Sequence, residues 1–128
     1  MSVETLISFG EFLDKLTILE IKSERIHDKD KLENVRYERE VLGKIWKANK
    51  KSSIDISAEY SALKNINEKL WEIEDNIREK ERKKEFDQEF VELARAVYIT
   101  NDERARIKKE INIKLGSDLV EEKSYSDY

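Results

Sequence analysis

Polar residues that could hold an anion recur beside the apolar positions of this sequence. Arginine binds carboxylate and phosphate groups through two parallel hydrogen bonds, and asparagine and glutamate can orient the rest of such a ligand. Arginines converging inside a helical bundle would form a site for an anionic sugar-phosphate or nucleotide, with or without a metal ion. The candidate ligand-binding residues are Asn67, Glu74, Arg78, Arg95, Asn101 and Arg104.

The same arginines have possible partners on their own helices. Opposite charges three or four residues apart pair across one helical turn, and such pairs are usually solvated surface features. The pairs at this spacing are Glu74 with Arg78, Glu92 with Arg95, and Glu103 with Arg106. Arginines paired in this way would stabilise their own helices and would not bind a ligand.

Metal chemistry has weaker support in the sequence. A magnesium site needs only oxygen ligands, as in the all-α nucleotide pyrophosphatases. A di-iron site of the ferritin type requires two Glu-x-x-His motifs, but His27 is the single histidine and there is no cysteine. We therefore expect no metal and no cofactor. The carboxylates at helical spacing that could serve magnesium are Glu20, Glu24, Glu74 and Asp75.

An apolar seam between residues 63 and 81 indicates a helix that packs along one edge. Leu63, Leu70 and Ile77 recur every seven residues, with Ile66 and Ile73 between them, which is the spacing that two meshing helices require. A neighbouring line of polar residues is predicted to lie at the border of this contact. It consists of Asn67, Glu74 and Glu81.

Capping signals divide the chain into four helices. Side chains that accept hydrogen bonds from the first helical N–H groups start helices, and glycine ends them. Thr100 with Glu103 is a further capping signal, at which a fifth helix could begin. One helix over residues 87–115 is preferred, because no proline or glycine forces a break. The predicted caps are Ser8 with Glu11, Asp28 or Asp30, Asp55 or Ser57, Asp87, and Gly116.

The first helix carries two apolar stripes, which predicts a central position or a contact with another subunit. Ile18 and Ile21 belong to its second stripe. Trp46 and Trp71 lie beside apolar seams, where tryptophan serves core packing or anchors an interface. These four residues are the candidate interface.

Composition limits the classes of function. Charged residues make up 42% of the chain, yet the net charge is −4 and the pI about 5.3, which argues against general nucleic-acid binding. No apolar run approaches the length of a membrane span, and residues 1–15 lack the pattern of a signal peptide. These features predict a cytoplasmic protein that does not enter membranes.

Five blocks of sequence resemble one family of short, uncharacterised bacterial proteins with similar viral-encoded copies. The resemblance covers nearly the whole chain and implies no particular activity. The blocks are FGEFLDKLTILEIKSERI, KLENVRYE, NEKLWEIEDNIREKE, FVELARAVYITNDERARIKKEIN and EEKSY.

Together these patterns predict an all-α antiparallel bundle of three to four long helices with coiled-coil-like packing. Residues 1–116 would form one domain and residues 117–128 a tail. The favoured function is a protein–protein interaction or self-association module without catalytic activity, most simply a homodimer, with a specific protein partner as another outcome. The small-molecule site is the alternative, and enzymatic activity stays open.

Overall fold

The computed structural model describes residues 1–128 and contains four α-helices, one short 3₁₀-helix and no strand. The prediction of an all-α fold is therefore confirmed. None of the four helices combines the length and apolar content that crossing a bilayer requires. The helices are α1 (Phe9–Arg25), α2 (Lys29–Ala48), α3 (Ser57–Lys83) and α4 (Gln88–Leu115), and the 3₁₀-helix is Lys50–Ser53.

Three helices begin at the predicted caps. The hydroxyl of Ser8 accepts a hydrogen bond from the N–H of Glu11 at 3.1 Å, and Asp28 and Asp87 cap α2 and α4 in the same way. Gly116 ends α4 in the left-handed conformation with φ 67°, as predicted. Local sequence thus determines these ends.

The start of α3 differs from the prediction. Ile56 occupies the N-cap position and makes no capping hydrogen bond through its side chain. Asp55 accepts hydrogen bonds from the N–H and the hydroxyl of Ser57 instead, so the predicted cap is wrong by one position. The physical reason is packing: Ile56 is buried in the core, and this fixes where the chain turns into the helix.

The helix α4 runs for 28 residues without a break, which confirms the prediction of a single helix in this part of the chain. Thr100, where a second capping signal occurs, is buried in the middle of the helix. A side chain in this position packs between helices and is not required as a cap.

The longest helices, α3 and α4, form an antiparallel hairpin. Lys114 contacts Glu59 at 2.8 Å at one end, and Lys80 contacts Asp87 at 3.0 Å at the other. The helix α1 lies against both, whereas α2 packs mainly on α1 and has no buried residue. The helix α1 is therefore the central element, which is one of the two positions predicted for it.

The hydrophobic core lies where α1 crosses the hairpin. Leu13 of α1, Leu63 of α3, and Ile111 and Leu115 of α4 are fully buried there. Only 17 of the 128 residues are buried, so the core is thin and much apolar surface is left half covered.

The distal part of the hairpin extends beyond this core. We call residues 74–99 the hairpin tip, and none of them is buried. Its apolar side chains are half-buried or exposed, because a pair of helices without a third cannot enclose a seam between them.

Gly10 allows α1 and α4 to approach closely. Its N–H donates to Oδ1 of Asn112 at 2.6 Å, and a Cβ at this position would lie 2.5 Å from the carbonyl oxygen of Lys108. This distance is shorter than any normal contact, so the helices would have to separate to admit a side chain.

Substitution of Gly10 tests this contact. We expect Gly10→Ala to lower the free energy of unfolding by about 1–3 kcal/mol, the usual cost of overpacking. Gly43→Ala is the matched control, because a Cβ added at this position of α2 would have no atom within 4 Å. It should raise stability by about 0.5–1 kcal/mol, since alanine favours helix. Urea denaturation measures both, and equal stabilities would contradict the close approach.

Candidate functional site

A buried carboxylate joins α1, α3 and α4. Asp14 of α1 is 1% exposed. Arg104 of α4 binds both of its oxygens, with Nε at 3.0 Å from Oδ1. Asn67 of α3 donates to the same Oδ1 at 2.9 Å and to the hydroxyl of Thr17 at 2.8 Å. We call these residues, with Asn101, the polar cluster.

The charges within the polar cluster neutralise each other. Hydrogen bonding to Asp14 raises the pKa of the Arg104 guanidinium, although its partial burial acts in the opposite direction. The remaining Nη1 group of Arg104 donates to Oδ1 of Asn101 at 3.3 Å. A bidentate pair with these additional hydrogen bonds leaves little attraction for an added anion.

Asn67 lies deeper than its pattern predicts. It was expected at the border of the helix contact, but it is 6% exposed and is hydrogen-bonded inside the bundle. The reason is that α1 covers α3 at this point and supplies the polar partners Asp14 and Thr17. Glu74 is half-buried and Glu81 is exposed, as residues at a border would be.

The other two predicted arginines lie on outward faces. Arg78 contacts Glu74 at 3.1 Å, and Arg95 contacts Glu92 at 3.3 Å. Both pairs are largely exposed and were expected from helical spacing. Arg106 contacts Glu110, and this replaces the expected pair with Glu103. Arg78, Arg95 and Arg104 therefore do not converge on one point.

Four of the predicted ligand residues line one open groove. We call it the central groove; its volume is about 450 Å³, and it lies beside the polar cluster. Asn67, Glu74, Asn101 and Arg104 contribute its polar wall, together with Lys22 and Asp75. Its apolar wall consists of Ile18, Ile21, Leu70 and Trp71.

Three of the four candidate interface residues also line the central groove. Ile18 and Trp71 are half-buried, while Ile21 is 1% exposed and belongs to the interior of the single chain. Trp46 lies elsewhere, with its ring centroid 6.2 Å from that of Phe9 and 6.3 Å from that of Phe12. Trp46 thus fastens α2 to α1 through aromatic packing.

Three of the four carboxylates considered for magnesium are engaged with cations. Glu20 and Glu24 both accept hydrogen bonds from Lys64, at 3.0 and 2.8 Å. Glu74 pairs with Arg78, and Asp75 lines the central groove. No three of these residues are grouped as a metal ion would need.

The central residue of the polar cluster, Asp14, was not among the predicted site residues. Its signal in the sequence is its position: it lies between Leu13 and Leu16, which are both buried. A carboxylate inside an apolar stripe must be paired when it is buried. The sequence does not reveal that its partner lies 90 residues away.

Comparison with known proteins supplies a family but no activity. The profile of the family of unknown function DUF6165 matches residues 1–128. The chain belongs to this family. A search of the curated proteins and a search of the solved structures each found no match. The predicted resemblance to a family of unknown function is confirmed across the whole chain.

Removing the charge of Asp14 tests the polar cluster. We expect Asp14→Asn to lower the free energy of unfolding by about 2–3 kcal/mol, somewhat less than a fully buried pair would cost, because Arg104 is partly exposed. Glu92→Gln breaks the exposed pair with Arg95 and should cost less than about 1 kcal/mol. Denaturant unfolding compares them, and equal costs would contradict a structural role for the cluster.

Glu20 gives the chain a pH-dependent contact between α1 and α3. Burial would raise the pKa of Glu20, but hydrogen bonds from Lys64 and Tyr60 outweigh it and lower this pKa below its ordinary value of 4.5. A carboxyl with a lowered pKa in the folded state stabilises the protein above its unfolded pKa and loses this effect as the pH falls through the folded value.

The stability of Glu20→Gln should therefore depend on pH relative to the native chain. We expect a deficit of about 1 kcal/mol at pH 7 that shrinks as the pH falls below 4.5. Urea titrations at several pH values measure this difference. A deficit that stays constant or grows on acidification would contradict the assignment. Glu40→Gln, which removes an exposed pair on α2, should cost less than about 0.5 kcal/mol at pH 7.

Proposed function

We propose that this member of the family is a non-catalytic helical module that self-associates, most simply as a homodimer, through the hairpin tip. The observation that carries the proposal is the absence of any buried residue between positions 74 and 99. This segment holds apolar residues at helical spacing, among them Ile77, Phe90, Leu93 and Val97. Covering such side chains releases about 25 cal/mol per Å² of apolar surface.

The tip has an open apolar groove suited to another helix. We call it the tip groove; its volume is about 520 Å³, and Ile77, Phe86 and Phe90 form its apolar part. Phe86 is 58% exposed and packs edge-on against Phe90, with ring centroids 5.2 Å apart. Glu74 lines both this groove and the central groove, so the two adjoin along α3.

The distribution of charge favours a second copy as the occupant. The end of α3 is basic and the start of α4 is acidic. Within one chain Lys80 already pairs with Asp87 and Glu89, and Arg82 pairs with Glu79. A two-fold axis that placed α3 of one copy against α4 of the other would bring each basic segment to an acidic one and exchange exposed pairs within a chain for pairs between copies. The basic residues are Lys80, Arg82, Lys83 and Lys84, and the acidic residues are Glu85, Asp87, Glu89 and Glu92.

Two tips joined in this way would form a four-helix bundle. The seven-residue spacing of Leu63, Leu70 and Ile77 is the repeat of coiled-coil packing, and a partner helix would extend the seam beyond the point that α1 covers. A different protein with a helical hairpin of similar charge is the other outcome. A cytoplasmic location belongs to the same proposal, and the absence of cysteine is compatible with it.

The small-molecule alternative has less support. Asn67, Glu74, Asn101 and Arg104 do share the central groove, but the guanidinium of Arg104 is already bound to Asp14. Arg78 and Arg95 have carboxylate partners on their own helices. A site for an anion requires positive charge that is not neutralised, and the central groove offers only Lys22 besides Arg104.

Sedimentation equilibrium tests the self-association. The native chain should show twice its 15.2 kDa mass at high concentration. Phe86→Glu should weaken the dimer at least about tenfold, because it places a charge in the contact and removes apolar surface that the dimer would bury. Phe86 is exposed in the single chain, so the fold should survive the change.

Tyr37→Glu is the matched control. Tyr37 is 72% exposed on α2, away from the hairpin tip, and its substitution should leave the mass unchanged. A native chain that stays at 15.2 kDa at every concentration would refute the proposal. Equal weakening by Tyr37→Glu would refute the assignment to the tip. Circular dichroism of each variant establishes that it is folded.

A further inference from the structure

The C-terminal segment runs back along α4. Its direction follows from three contacts: Glu121 lies 3.5 Å from Lys108, Glu122 lies 3.5 Å from Lys109, and the ring of Tyr128 lies 5.3 Å from that of Tyr98. Residues 118–128 are all exposed and form no helix. The segment is therefore held to α4 chiefly by ion pairs at the limit of hydrogen-bond distance and by one aromatic contact.

A polar cavity of about 210 Å³ lies between this segment and α4. We call it the tail cavity. Ala105 is the one hydrophobic residue among the nine that line it. Its remaining wall consists of charged groups and amides from α1, α4 and the tail, so it is suited to water or a small polar ligand and not to an apolar one.

The tail cavity holds an excess of positive charge. Arg104, Lys108, Lys109 and Lys123 line it against two carboxylates, Glu11 and Glu121. Asp14 neutralises Arg104 from beneath, which leaves three lysines and two carboxylates. Glu122 of the tail also contacts Lys109, at 3.5 Å, although it does not line the cavity. With the side chains of Glu121 and Glu122 both turned away, three lysines would face one carboxylate, a local charge of +2.

The two carboxylates hold Lys108 with different strength. Glu11 of α1 contacts its Nζ at 2.7 Å, whereas Glu121 of the tail reaches only 3.5 Å. Lys108 is 13% exposed, while Glu121 is 57% exposed. Glu11 is thus a fixed part of the wall. Glu121 is an exposed side chain that a stronger anion can replace at small cost.

An oriented amide also faces the tail cavity. Asn112 is 4% exposed and lines it. Its Oδ1 accepts a hydrogen bond from the N–H of Gly10 at 2.6 Å. This hydrogen bond fixes the orientation of the amide group, with the Nδ2 hydrogens directed away from Gly10. Nδ2 donates no hydrogen bond within the chain. It is also not one of the fully buried polar atoms that lack a partner. It is therefore accessible and available to donate to a ligand.

We propose that the tail cavity is a binding site for a small phosphate-bearing anion, and that the Glu121 carboxylate occupies it as an internal competitor. With both tail carboxylates displaced, the local charge of +2 matches a phosphate dianion. Lys108 and Lys109 supply charge-assisted hydrogen bonds, and Asn112 supplies a neutral donor. No residue of the hairpin tip lines this cavity, and phosphate binding is measured separately from the mass of the protein.

Phosphate titration of the full-length chain tests the site. The probe is inorganic phosphate at low ionic strength, and the readout is the side-chain amide signal of Asn112 in ¹H–¹⁵N NMR spectra. A saturable shift of this signal is expected. Glu121→Gln should bind phosphate about three to ten times more tightly, because the competing charge is gone, and Lys109→Gln should bind about three to ten times more weakly.

Lys47→Gln is the control for net charge. Lys47 is exposed on α2 and lies outside the cavity, so its substitution should change the affinity less than about twofold. Unshifted Asn112 signals throughout the titration would overturn the proposal. An equal loss of phosphate affinity in Lys47→Gln and Lys109→Gln would also overturn it, because phosphate would then be responding to the net charge of the chain and not to a site. An affinity unchanged in Glu121→Gln would overturn the role of the tail carboxylate.

Discussion

The buried pair of Asp14 and Arg104 is the contact on which the arrangement of the helices depends. It links the central helix α1 to α4, and Asn67 of α3 completes it, so one carboxylate fixes three helices at a single level. Apolar packing alone is tolerant of small shifts along a helix, whereas a bidentate hydrogen-bonded pair has one geometry. The polar cluster thus supplies the register that the thin apolar core leaves underdetermined.

The close approach at Gly10 has the same effect one turn away. Asn112 holds the first turn of α1 against α4, and no side chain separates the two helices at this point. The two contacts together set the position of α1 along the hairpin and its distance from α4. Around them the hydrophobic core needs only a few large residues, including Leu13, Leu63 and Ile111.

The shortness of α1 explains where the molecule has surface to offer. With 17 residues, α1 covers the proximal part of a hairpin whose helices have 27 and 28. The hairpin tip is left with half-covered apolar residues and no buried one. Along α4, the tail lies over a cavity whose cations it only partly neutralises. Both surfaces exist because α1 and the tail each cover only part of the hairpin.

Local sequence determined the helices of this protein, and tertiary structure decided what its charged residues do. Ser8, Asp28, Asp87 and Gly116 act within one turn of their own positions, so their effect can be predicted from neighbouring residues alone. Exposed pairs such as Glu74 with Arg78 are predictable for the same reason.

The polar cluster and the tail cavity join residues far apart in the chain. Asp14 and Arg104 are separated by 90 positions, and no periodicity within a helix encodes which face of α4 meets α1. The partner of a buried charge is chosen when the helices pack, because the cost of leaving it unpaired is felt only after water is excluded. Seven-residue spacing could indicate that α3 packs; the folded bundle alone determined that Asn67 lies inside it and that Arg78 lies outside.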